Sequence, residues 1–100
     1  MPFDKLVPRP FTLNGISMYA PAVSGVYGIS NAREWLYIGE GDNLQAALLT
    51  HFGDLYATLA TREPSGFVFE ACEARRRPAR LDRLILEYEP SCQRRPHRSS

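Results

Sequence analysis

One hundred residues, 44% apolar and 23% charged, describe one small globular domain with material for a single modest core, which excludes disorder as the default state. No run of about 18 apolar residues is present, which excludes a membrane-spanning helix; the opening MPFDKLVPRPF has no apolar signal region, so an intracellular, cytoplasmic chain of bacterial kind is expected. The net charge of +1 hides an uneven spread: residues 75–100 hold eight arginines against three carboxylates, and residues 1–74 hold four basic and eight acidic groups.

Residues 1–24 carry four prolines and read as a lead-in of loop and short extended pieces, with Asn14-Gly15 a turn candidate. GVYGIS (25–30) favours a strand through its β-branched and aromatic side chains. NAR (31–33) turns the chain, and EWLYIGE (34–40) returns as a second strand, making a short hairpin. Asp42 or Asn43 can cap the helix that follows, in which Leu44, Leu48 and Phe52 keep helical spacing and Gly53 stops the run. Residues 53–65 read as helical turn or loop, and FVFEAC (67–72) alternates like a third strand. RPARLDRLILEYE (77–89) is an amphipathic helix whose Leu81, Leu84, Ile85 and Tyr88 form the buried stripe, ended by Pro90. The predicted core comprises Leu44, Leu48, Leu81, Leu84 and Ile85. Cys72 and Cys92 stand twenty apart, which fits no usual zinc spacing and predicts two free thiols in a reducing compartment.

Two triplets stand ten positions apart, Gly25-Val26-Tyr27 and Tyr37-Ile38-Gly39, on a hairpin that leads into a helix opened by Asn43-Leu44. With His51 at the helix end and EYEPSCQ (87–93) closing the chain, this arrangement resembles the GIY-YIG nuclease superfamily. The resemblance covers roughly residues 22–93 and implies an α+β fold: a small three-stranded antiparallel sheet flanked by helices, in the order β-β-α-β-α. It divides the chain into a lead-in (1–21), a GIY-YIG-like domain (22–93) and a basic tail (94–100).

Members of that superfamily cleave phosphodiesters with one divalent metal and a water nucleophile. The chemistry needs a proton acceptor near the water, a cation facing the phosphate, and a carboxylate for the metal. The resemblance implies that Tyr27 and Tyr37 stand near the water and the phosphate, with Tyr27 the base candidate and His51 assisting. Their plainer reading is an aromatic pair packing on one sheet face and a helix-end histidine favoured by the macrodipole. Two positions depart from the pattern. The helix arginine expected three residues after Leu44 is Ala47, with Arg33 or Arg62 as displaced candidates. The metal glutamate is matched best by Asp82, a one-residue shift would place Leu81 there, and Glu70 and Glu73 are outside candidates. Mg2+ or Mn2+ is the expected cofactor of an active site, and none of a degenerate one.

The arginine-rich end suits phosphate, because guanidinium forks match phosphate oxygens and counterion release favours binding. Arg33, Arg75, Arg76, Arg77, Arg80 and Arg83 are therefore the candidate nucleic-acid contacts, with DNA ahead of RNA as partner and no membrane. Three readings follow: an active metal-dependent endonuclease, a degenerate nuclease domain kept for nucleic-acid binding, and a protein-interaction or structural domain. Ala47 counts against the first, and the arginine excess favours the second over the third.

Overall fold

The computed structural model describes residue 3, residues 8–52 and residues 63–91. At its centre, strands β2 (Gly25–Ser30) and β3 (Trp35–Gly41) form the predicted hairpin, with Tyr27 opposite Gly39 and Ile29 opposite Tyr37. The turn closes through Asn31, whose side-chain oxygen accepts from the backbone N–H groups of Arg33 (2.8 Å) and Glu34 (2.9 Å), the local bond that makes asparagine a turn residue. Strand β4 (Gly66–Ala71) pairs antiparallel with the other edge of β2, Tyr27 opposite Phe69. Helix α2 (Leu44–Leu49) starts at Asn43, whose side chain accepts from the Ala46 N–H (3.0 Å), and continues as a 3-10 turn, Thr50–Phe52. The last helix, α3 (Arg77–Tyr88), follows a 3-10 turn at Ala74–Arg76 and ends on Glu89 in the left-handed region (φ 47°), with Pro90 beyond.

The fold is α+β, and the lead-in departs from expectation. A two-residue strand β1 (Arg9–Pro10) adds to β4, so among the described residues the sheet has four strands in the order β1-β4-β2-β3, and helix α1 (Leu13–Tyr19) follows β1. Prolines read as loop because they cannot donate to a ladder, but Pro10 lies on an edge strand that needs bonds on one side only. Asn14-Gly15, read as a turn, lies in the first turn of α1, capped by the Thr12 hydroxyl accepting from the Gly15 N–H (2.9 Å). Glycine is required there because a side chain would run into the Pro10 carbonyl.

Strand alternation divides the core into two layers. On one face Tyr27, Ile29 and Phe67 pack with Phe11, Ile16, Leu44 and Leu48 beneath α1 and α2. On the other, Val26, Ile38 and Val68 meet Leu84 and Ile85 of α3, with Phe3 completing the layer. Leu44, Leu48, Leu84 and Ile85 are buried as expected; Leu81 is only half-buried, at the margin of the α3 stripe. Among the described residues no helix is long and apolar enough to cross a membrane.

Candidate functional site

Leu44, Leu48 and His51 recur at four and three residues, so α2 and its 3-10 extension turn all three side chains towards the sheet. That spacing brings His51 against the two tyrosines. Their rings lie on one sheet face with centroids 6.3 Å apart, and the imidazole meets Tyr27 (5.6 Å) and Tyr37 (4.9 Å) edge-on. The Tyr27 hydroxyl and His51 Nε2 share a hydrogen bond of 2.7 Å whose donor is set by the imidazole tautomer. Gly39 lies under this group: a Cβ there would stand 2.6 Å from the Tyr27 ring and hydroxyl and 2.9 Å from the Tyr37 ring. The last glycine of the second triplet is what lets the first tyrosine lie flat across the hairpin.

The site is dry. His51 is 2% exposed, and its Nδ1 has no hydrogen-bond partner among the described residues. Burial pushes the His51 imidazole below its ordinary value of 6.5, and raises the Tyr27 and Tyr37 hydroxyls above 10.0, the Tyr37 hydroxyl adding to the rise at Tyr27. All three groups are therefore neutral near pH 7. Unfolded His51 takes a proton near pH 6.5 while the folded imidazole resists it, so its contribution to stability is whole above that pH and falls on acidification. The Tyr27 contribution is whole below pH 10.0 and is lost as pH rises beyond it. Denaturant unfolding across pH should show both limbs, with His51→Gln flattening the acid one. An acid limb unchanged in that variant would assign it to another group.

Ala47, one turn before His51 on the same helix, is half-buried with its Cβ 2.8 Å from where a Gly41 Cβ would be. An aliphatic side chain thus stands where the resemblance implies a cation. Asp82 lies on α3, whose buried residues pack on the opposite face of the sheet; it is half-buried and already engaged within the fold. The outside candidates are committed elsewhere, Glu70 to Arg80 and Glu73 to Arg75 (3.3 Å). Among the described residues no group of three His, Cys, Asp or Glu side chains is arranged to hold a metal ion, and none of the shifts at Tyr27, Tyr37 and His51 has a carboxylate among its causes. The described residues beside the tyrosines do not fit a divalent cation.

The arginines separate into three groups. Arg77 is withdrawn: its side chain is 14% exposed, Nη2 pairs with Asp42 (2.8 Å) and Nε stands 3.3 Å from Glu40. Arg75, Arg76, Arg80 and Arg83 line one groove beside α3, together with Glu70, Glu73 and Cys72. Arg33 is exposed in the hairpin turn, away from both groups. Arg62, the arginines of 94–98 and Cys92 lie outside the described residues. The carboxylates that hold Arg77 and Arg80 carry no local signal, since Glu40 and Glu70 lie on strands of the sheet and meet these arginines only once α3 docks.

No family model and no curated protein matches the chain. Solved structures do. The magnesium-bound GIY-YIG N-terminal endonuclease domain of UvrC from Thermotoga maritima matches with a TM-score of 0.69 and 20% identity, covering 81% of this chain and 94% of that one. Two point mutants of the same domain, bound to its catalytic divalent cation, match at TM-scores of 0.69 and 0.68, each with 20% identity and covering 81% of this chain and 93% of theirs. At that identity the likeness is one of fold.

Proposed function

Starting from a chain that has the GIY-YIG nuclease fold, we propose that it is a nucleic-acid-binding domain whose nuclease site is degenerate. Ala47 carries this reading. It stands on the helix that brings His51 to Tyr27 and Tyr37, where a phosphoryl group under attack would need a fixed cation. Losing such a preorganised group costs about 3–4 kcal/mol of transition-state stabilisation, on the order of a hundred- to a thousandfold in rate.

The described groups beside Ala47 do not compensate. Tyr27 holds its proton more tightly than a free tyrosine, which opposes service as a base, and His51 is sealed from solvent. A divalent cation would supply charge neutralisation and an activated water, but among the described residues the tyrosine face offers it no carboxylate group to hold it. Mg2+ and Mn2+ therefore belong to the alternative reading, an active endonuclease, and the proposed domain works without them. The pair Tyr27–His51 keeps a structural role, joining the end of α2 to the hairpin.

Cleavage of branched, single-stranded and duplex DNA with magnesium or manganese should be absent or very weak. Ala47→Arg alone should restore little, because effects of groups that act as a unit are not additive. A gain in Ala47→Arg with Asp82→Glu above the two singles together would mark Asp82 as a vestigial ligand. Brisk cleavage by the unmodified chain, abolished by Tyr27→Phe, would establish the endonuclease instead. The protein-interaction reading has one observation of its own, the exposed Leu13 (57%) and Met18 (72%) of α1. It would prevail if no nucleic acid bound at low salt.

A further inference from the structure

Beside α3 runs a groove of about 1050 Å3 that no part of the nuclease-like site uses. One wall is the end of β4 and the residues after it, Glu70 to Glu73; the other is the arginine face of Arg76, Arg80 and Arg83, spaced four and three residues apart. Glu70 is the register partner of Val26, which packs under α3, whereas Tyr27 points to the other sheet face. The groove and the tyrosines therefore open on opposite sides of the sheet.

Its four arginines are not equivalent. Arg80 is clamped fork-on-fork by Glu70, Nε to Oε2 and Nη2 to Oε1, both 2.7 Å, and both side chains are mostly buried. That pair is neutral and forms the wall. Arg75 and Glu73 make a looser pair at 3.3 Å with both side chains largely in solvent. Arg76 and Arg83 have no ion-pair partner among the described residues, and they supply the groove's excess of two positive charges over its two carboxylates.

We infer that this groove takes a single strand of nucleic acid, held through its phosphates by Arg76 and Arg83 rather than by the whole arginine cluster. The inference rests on the nucleic-acid reading above and deepens it. Arg76 caps α3 at the end of the 3-10 turn and Arg83 lies two turns along the helix, so the two guanidinium stems stand about 10 Å apart along its axis, enough to meet phosphates a nucleotide or two apart. The concave shape admits one strand, whereas the convex wall of a duplex reaches only the rim. Phe3, the one aromatic residue among the described residues lining the groove, is 4% exposed and offers no stacking surface, so the contact is electrostatic and indifferent to sequence. Two phosphate contacts on a single strand give a log–log salt slope of about −1.4, where five would give about −3.5.

Cys72 supplies a reporter, since its free thiol is half-buried in the groove. In a Cys92→Ser background, fluorescently labelled oligothymidylate and oligouridylate would be titrated over a range of salt, with a duplex as control and Cys72 alkylation followed in parallel. The expected result is a slope near −1.4 on either single strand, weaker duplex binding, slowed alkylation of Cys72 by the bound strand, and about a tenfold or greater loss of affinity in Arg76→Ala/Arg83→Ala. Binding with Cys72 unprotected and the double variant unaffected would overturn the groove while leaving the nucleic-acid reading in place. A slope near −3.5 or preference for duplex would overturn the two-contact, single-strand assignment. No binding of any oligonucleotide at low salt would remove both readings.

Discussion

Replacing Leu84 by alanine is expected to destabilise the domain by about 2–5 kcal/mol, the range for a leucine removed from a packed interior. Leu84 is fully buried, in the layer where Val26, Ile38 and Val68 of three adjacent strands meet α3. The loss combines the transfer free energy of the three side-chain carbons removed with a cavity that the sheet, tied by its ladders, cannot collapse to fill. Domains of this size are stable by about 5–15 kcal/mol in all, so the variant would lie close to the unfolding threshold. Each kcal/mol corresponds to about 4–8 °C in midpoint for a chain this short, and a thermal melt should move down by at least about 8 °C. An unchanged melt would mean that α3 does not rest on the sheet through this residue. Because Leu84 belongs to the face opposite the tyrosines, its loss would undock the arginine groove and the Glu70–Arg80 clamp with it.

The two motif glycines should differ in cost, and the order is informative. A Cβ on Gly25 would run into the backbone carbonyl of Glu70 and stand 2.8 Å from Leu44 Cδ1. That carbonyl belongs to β4, hydrogen-bonded to β2, so relief requires the sheet itself to shift. Overpacking of this kind costs about 1–3 kcal/mol and more where backbone must move. Gly25→Ala should lie at or above the top of that range. In Gly39→Ala the obstacle is the end of the Tyr27 ring, which can swing aside at the loss of its hydrogen bond to His51. That bond contributes about 0.5–1.5 kcal/mol, and the cost should be correspondingly smaller. Urea unfolding of the two variants would rank them, and tyrosine fluorescence should change only in Gly39→Ala. Equal midpoints, or Gly39→Ala the worse, would contradict the close approach of β4 to Gly25.

The hairpin, α2 and α3 were legible in the sequence because each is specified by neighbours in the chain. β-branched and aromatic residues run from Gly25 to Ser30, Asn31 closes its own turn, Asn43 caps α2, and Pro90 stops α3. The spacing of Leu44, Leu48 and His51 carried the histidine to the tyrosines for the same reason: helical period is a local property. The first helix was hidden, since a proline-rich lead-in with Asn14-Gly15 has loop propensities, and only burial of Phe11, Ile16 and Ala20 against the sheet makes it a strand and a helix.

Which arginines are available to a ligand was decided by tertiary structure alone. Composition counts Arg77 and Arg80 as positive charges like any others, yet Glu40, Asp42 and Glu70 draw them into ion pairs by the docking of α3 on the sheet. Charge is written in the sequence, but its partner is not: electrostatic pairing depends on distances of a few ångströms between side chains that the chain keeps far apart until the core has formed.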